Sequence, residues 1–338
     1  MKIFIQTFKN IHKKYLYKIL GSFFLAIFIL WAIYTYLGIS PRVAWQTIIG
    51  LGWYNTASVI GLSFIIISLL AMKWKVSIKY FFPSISPVFS FFFTNTSVAF
   101  LTNIFVPHIG SHGVRIGILK KVYNVPISYS LAAQFMDQLS ELILACIAVI
   151  PGILYLLGVI NLFSALYLLI SFLLLSPLFL KFTFHTCYKP VHAWINTHSN
   201  KILFKKRLFA GFSSLFNRDE IKNFPMTNLL LIGIARNLTT SLKNLLLMQA
   251  VGLSISFNEL ILVAPIVYFF GILSFLPAGI GVIDAGWLGI LIILGYDKIN
   301  IGKFLILELI VGSSAIAFVT ITSLAYNFIS GRLNKKNV

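Results

Sequence analysis

The sequence predicts an all-α polytopic membrane protein, about six full spans plus two re-entrant helical hairpins arranged as an inverted repeat. Three observations lead there. Apolar residues make up 59% of the chain and charged residues 10%, a balance that would give a soluble domain one continuous apolar surface. Apolar stretches of about 20 residues recur, the length a helix needs to cross about 30 Å of hydrocarbon at about 1.5 Å per residue. Lysine and arginine concentrate in alternate connecting segments, and such residues stay on the cytoplasmic side of a membrane.

The first apolar stretch, residues 20–37, follows Lys2, Lys9, Lys13, Lys14 and Lys18. No small-residue cleavage site precedes Pro41, so a retained first helix with a cytoplasmic amino terminus is expected. The second stretch, 48–72, leads to Lys73, Lys75 and Lys79, which are therefore also expected inside. Three apolar blocks come next, at 88–106, 128–150 and 161–180, before a basic segment that should again be cytoplasmic. An odd number of crossings cannot return to the same side. The first block breaks at Pro107, with Gly110 and Gly113 behind it, so 88–106 and 113–122 are expected to be the two arms of a re-entrant hairpin with a non-helical tip.

The basic segment, 181–225, reads as an amphipathic cytoplasmic loop that meets anionic headgroups. After it, 226–251 leads outward and 311–329 returns to Arg332, Lys335 and Lys336. Between them, 260–276 breaks at Pro277, Gly279 and Gly281 before a second arm at 282–294, with Asp297, Lys298 and Lys303 outside. This arrangement puts 22 of the 27 Lys and Arg residues inside, with Arg42, Lys298 and Lys303 outside and Arg236 and Lys243 in the membrane. One membrane domain, 1–338, thus contains a first repeat at 48–150 and a second, of opposite orientation, at 226–329. The breaks align: FVPHIGSHG from Phe105 matches FLPAGIGVI from Phe275. Inverted repeats of this kind place broken helices and a binding site near the bilayer midplane.

Ionisable side chains at bilayer depth cost about 2.5–3.5 kcal/mol each on insertion scales, so each needs a partner or a wet cavity. Asp137 and Glu141 share one helical face, four residues apart. Arg236 and Lys243 share another, with Thr240 between them and Asn237 and Asn244 beside them. Arg115 and Asp284 open the second arms of the two hairpins, and Glu308 sits at the last helix. Acids and bases on different helices invite pairing across the bundle, either to bind an anionic headgroup or to fix helix packing. Lys243 and Glu308 can also snorkel, and Asp284 is a favourable helix-start acid. His108 and His112 at the first hairpin tip are candidates for proton handling or for lining a polar cavity.

Other classes find less support. The net charge of +19 flanks apolar segments and carries no nucleic-acid signature, so lipids, not nucleic acid, are the expected partners. His185, Cys187, His192 and His198 cluster in the basic loop without a metal-ligand spacing, and neither metal nor other cofactor is expected. No nucleophile elbow, P-loop or HExxH motif is present, nor a pair of outward-facing carboxylates, so the chain is not expected to be an enzyme.

PHIGSHGVR (Pro107 to Arg115), DQLSE (Asp137 to Glu141) and PAGIGVID (Pro277 to Asp284) together resemble the flippase-like membrane domain of lysylphosphatidylglycerol synthases, a domain that also occurs free-standing. The likeness covers about 20–329. His112 stands where that family has Glu, Gln138 where it has Arg, and Asp284 where it has Glu. The resemblance implies movement of an anionic, aminoacylated or polyprenyl-linked lipid between leaflets; with the intramembrane charges it leads to a translocator in the plasma membrane with Arg115, His112, Asp137, Glu141, Arg236, Lys243 and Asp284 expected around the path. The chain ends at Val338 without an aminoacyl-transfer domain, so lysyl-lipid synthesis is not expected of it alone. An ion-coupled exporter of a small anion or polyprenyl phosphate, a lipid-modifying enzyme and an accessory subunit docking through 181–222 are the other readings.

Overall fold

The computed structural model describes residues 13–85, 87–105, 109–176, 225–273, 279 and 281–334, and all regular structure among them is helical. Helix α1 (Lys13–Tyr36) turns into α2 (Pro41–Gly50) through a bend of 89°. Gly38, at φ 66°, makes the bend, and the Ser40 hydroxyl accepts from the Val43 amide at 3.3 Å to start α2, with Pro41 at its first position. Gly52, at φ 75°, then separates α2 from α3 (Gly52–Phe81).

Here the structure departs from the sequence reading, which ended this span at residue 72 and put three lysines in a loop. Lys73, Lys75 and Lys79 all lie within α3, because lysine is a good helix former and the helix stops only where Pro83 approaches. Helices α4 (Phe89–Phe105) and α5 (Ile109–Tyr123) pack on each other. Since α5 already starts at Ile109, Gly110 and Gly113 lie in its first turns and not in a non-helical tip, an exception a helix tolerates at about 1 kcal/mol per glycine. Then come α6 (Ile127–Leu156) and α7 (Leu162–Ser176). Pro107, Pro277 and residues 177–224, which hold His185, Cys187, His192 and His198, lie outside the described residues.

The second half contains α8 (Met226–Ala250), α9 (Phe257–Leu273) and α10 (Val282–Ile293), followed by α11 (Lys298–Ile306). Gly279 and Gly281, at φ 71° and 84°, occupy the left-handed region between α9 and α10, which glycine enters without strain. Asp297 caps α11, its carboxylate accepting from the amides of Ile299 and Asn300. A π-helical turn, Leu307–Val311, joins α11 to α12 (Gly312–Asn334).

Among the described residues, three helices are long and apolar enough to cross a membrane: α3, α6, and α11 with α12 taken as one run, Lys298–Ser330. The bent α1 and α2 pair makes a fourth when counted as one span. Of the remaining expected spans, α8 matches these in length but is more polar, and α7 is described only as a shorter apolar helix. The outer surface is apolar, with Trp53, Tyr54, Phe163, Tyr167 and Leu174 exposed, as befits a multi-pass membrane protein whose solvent is lipid.

Two larger apolar cores, with two small clusters beside them, hold the bundle among the described residues. One surrounds Trp74 and Phe92 and joins the C-terminal part of α3 to α4, α5 and α6; the other surrounds Trp287 and Phe304 and joins α9, α10 and α11 to the ends of α3 and α8. Val59 packs with Leu247 and Met248 in the second core, while Met226 packs against the first, so α3 and α8 run antiparallel through the centre. Around them α4 packs on α12, and α6 on α9. A polar seam ties α4 to α12: the Asn327 amide donates to Thr94 Oγ1 at 2.5 Å, and Ser97 and Ser323 hydroxyls meet at 3.1 Å.

Small residues allow these approaches. A Cβ at Gly152 of α6 would run into the Leu262 carbonyl oxygen of α9 and come within 2.9 Å of Ile266 Cδ1. Gly152→Ala is therefore expected to lower the unfolding midpoint in detergent, at a cost of about 1–3 kcal/mol. Gly61→Ala, where the added carbon meets nothing within 4 Å, should leave the midpoint in place.

Candidate functional site

Helix geometry fixes the centre of the site. Asp137 and Glu141, one turn apart on α6, both present buried carboxylates to α3. Lys73 of α3, with a side chain 1% exposed, fits between them: its Nζ is 3.1 Å from Asp137 Oδ1 and pairs closely with Glu141 Oε1. It also donates to the Asp137 backbone carbonyl at 3.3 Å. Arg115 of α5 approaches Asp137 Oδ2 at 3.4 Å and stacks over Trp74, its guanidinium carbon 5.3 Å from the ring centroid. From the other half, Arg236 of α8 donates to Glu141 Oε2 at 2.5 Å and to Asn237 Oδ1 at 2.7 Å. Three cations thus hold two carboxylates, leaving one positive charge in excess.

Gly233, one turn before Arg236, makes this junction possible. A Cβ there would lie 2.5 Å from Leu144 Cδ1, with Glu141 Oε1 and Lys73 Nζ both at 3.9 Å behind it. The bare backbone lets α8 close onto the pair.

A cavity of about 380 Å³ opens beside this network, large enough for a ligand. Both halves of the chain line it. The first contributes Ser63, Asn103, Ser111, His112, Gln138 and Glu141, and the second Arg236, Asn237, Thr240, Lys243, Tyr268, Asp284 and Glu308. Of the network, Glu141 and Arg236 reach the cavity wall; Lys73, Arg115 and Asp137 are not on it and support them from behind. Of the residues expected around the path, Arg115 and Asp137 thus stand one layer behind this cavity.

The other expected residues fall as follows. Lys243 pairs with Glu308, carried on the π-helical turn, at 3.7 Å. A π turn re-aims its side chains, and such turns are common at functional sites. Asp284 accepts from the Gly281 amide at 2.9 Å and starts α10. His112 Nδ1 is paired with Gln134 of α6, whose Nε2 donates back to the His112 carbonyl at 3.4 Å, so this histidine ties α5 to α6 at the cavity edge.

Sequence reasoning missed Lys73. Grouped with Lys75 and Lys79 by charge alone, it is separated from them by helical period: Leu70, Lys73, Trp74, Ser77 and Ile78 form one buried stripe, while Lys79 is exposed. The apolar and small residues of that stripe were the available signal. It also missed Tyr268, whose hydroxyl accepts from Asn244 Nδ2 at 2.6 Å on the cavity wall.

Removing one member of a buried charge network leaves its partners uncompensated, at about 3–5 kcal/mol. Lys73→Ala is expected to lower stability in detergent by that amount, and adding Glu141→Gln should recover part of it. Lys79→Ala, on the exposed face, should stay within about 0.5 kcal/mol of the parent. Denaturation followed by tryptophan fluorescence reads all three.

The family model described as lysylphosphatidylglycerol synthase TM region matches residues 18–327. No curated protein and no solved structure matches the chain.

Proposed function

We propose that this chain, which belongs to the lysylphosphatidylglycerol synthase transmembrane-region family, moves a lipid with an anionic headgroup between the leaflets of the plasma membrane. Arg236 carries this reading. Its side chain is 23% exposed on the wall of a cavity shared by both halves, and it belongs to a cluster with one cation more than carboxylates. A phosphate entering the cavity competes with Glu141 for the guanidinium, whose planar fork suits a phosphate bidentately. Glu141 released in this way is not stranded, because Lys73 remains paired with it. The exchange therefore avoids the penalty of a lone buried charge. Acyl chains stay in the surrounding lipid while the headgroup passes.

The finer topology belongs to the same proposal: six spans, cytoplasmic termini, and two hairpins dipping in from opposite faces as halves of an inverted repeat. Several features support it. The arms α4 and α5 have 17 and 15 residues and α9 and α10 have 17 and 12, each shorter than the ~20 residues a span requires. Packing repeats as well: α4 on α5 and α12 in the first half corresponds to α9 on α10 and α6 in the second, about the central α3 and α8 pair. Inverted repeats in transporters put the substrate between the halves, where this cavity lies.

Vesicles reconstituted with the protein and a fluorescent anionic phospholipid test the reading through bleaching of outer-leaflet label. Arg236→Ala is expected to slow leaflet exchange about tenfold or more, the worth of one charge-assisted contact, while Lys79→Ala exchanges normally. Undiminished exchange in Arg236→Ala overturns it. Single cysteines at Lys120 and Tyr296 are expected to label from opposite faces; labelling from one face rules out the inverted hairpins.

A further inference from the structure

Two carboxylates, Asp284 and Glu308, stand on the cavity wall formed by the second half, which also carries Arg236 and Lys243. Asp284, 3% exposed, lines it, and its hydrogen bond from Gly281 comes from its own turn. Among the described residues no Lys or Arg lies within ion-pair distance of it. Glu308 faces the same cavity from the π turn and pairs with Lys243 at 3.7 Å. The two carboxylates line one cavity. Lys243 thus pairs with Glu308, and Asp284 has no such cation among the described residues. Among the described residues, Tyr34 Oη, Asn244 Oδ1 and Trp287 Nε1 are buried with no hydrogen-bond partner.

We propose that Asp284 and Glu308 form a proton-binding pair that couples headgroup movement to proton movement. The inference rests on the translocator reading above. When an anionic headgroup takes Arg236 and draws Lys243, Glu308 loses its cation inside a cavity of low dielectric. A proton from water then forms an O–H bond on one carboxylate of the pair, and neutrality is restored. When the headgroup leaves into the opposite leaflet, Lys243 returns to Glu308 and the proton goes to water on that side.

The charged and titratable groups facing the pair are Lys243 and Arg236 from α8, Tyr268 from α9 and Tyr34 from α1, with Glu141 and His112 across the cavity. Lys298 and Lys303 of α11 are engaged with Tyr36 and Asn300, and Arg42 of α2 is exposed. One proton with one phosphate charge moves no net charge, so the coupling answers to pH and not to voltage.

In vesicles loaded symmetrically with labelled phosphatidylglycerol, a pH difference is expected to enrich label in the leaflet facing the alkaline side. The enrichment approaches about tenfold per pH unit, vanishes with a protonophore, and ignores a potassium diffusion potential. In detergent, adding short-chain phosphatidylglycerol is expected to draw about one proton per bound lipid from solution onto the wild type, read by a pH dye, and none onto Asp284→Asn with Glu308→Gln. A wild type whose label stays even across the pH difference, and which takes up no proton, overturns the coupling. If leaflet exchange at equal pH still depends on Arg236, only the coupling falls. A wild type that exchanges no lipid overturns both readings.

Discussion

The arrangement depends on the pairing of Lys73 with Asp137 and Glu141. Four cations and four carboxylates are gathered at the centre of a structure whose surroundings are lipid: Lys73, Arg115, Arg236 and Lys243 against Asp137, Glu141, Asp284 and Glu308. Singly, each is too costly at such depth. Together they balance, and the balance constrains where helices go: α3, α5, α6 and α8 must all meet within the reach of a lysine or arginine side chain. Gly233 serves that constraint directly by removing the carbon that would hold α8 away.

Although the charges cancel in sum, they are segregated in space. The network behind Glu141 carries the surplus cation, and the wall holding Asp284 and Glu308 carries the surplus carboxylate. A cavity with one wall of each sign presents an anion with a place to bind and an adjacent place where the compensating charge can change. The proposed function uses the first wall and the proposed coupling uses the second. Both follow from the same fact, that the charges around the shared cavity are segregated by sign, Arg236 with the network on one side and Asp284 with Glu308 on the other.

Much of this was legible before any coordinates. The helices follow from apolar length, and the left-handed turn before α10 is marked by Gly279 and Gly281 between apolar runs. The pairing of Asp137 and Glu141 on one face follows from their spacing of four. Reasoning by charge alone failed at Lys73, because the preference of lysine for the cytoplasmic side says nothing about a lysine that finds two carboxylates on a neighbouring helix. Reasoning by glycine alone failed at Gly110 and Gly113, which sit inside α5, since glycine permits a break without requiring one.

Composition and apolar periodicity thus determined by themselves that the chain is a helical multi-pass membrane protein, and family motifs pointed to its kin. Those signals are local: they depend on each segment's solvent, and lipid imposes the same demand on every helix. Which charge meets which was decided only by the tertiary structure. Arg236 finds Glu141 across 95 positions, and Arg115 and Asp137 retreat behind the cavity instead of lining it. Such partnerships depend on a few ångströms of approach between helices distant in sequence, set by packing at Gly233 and Gly152, and no pattern along a single helix encodes them.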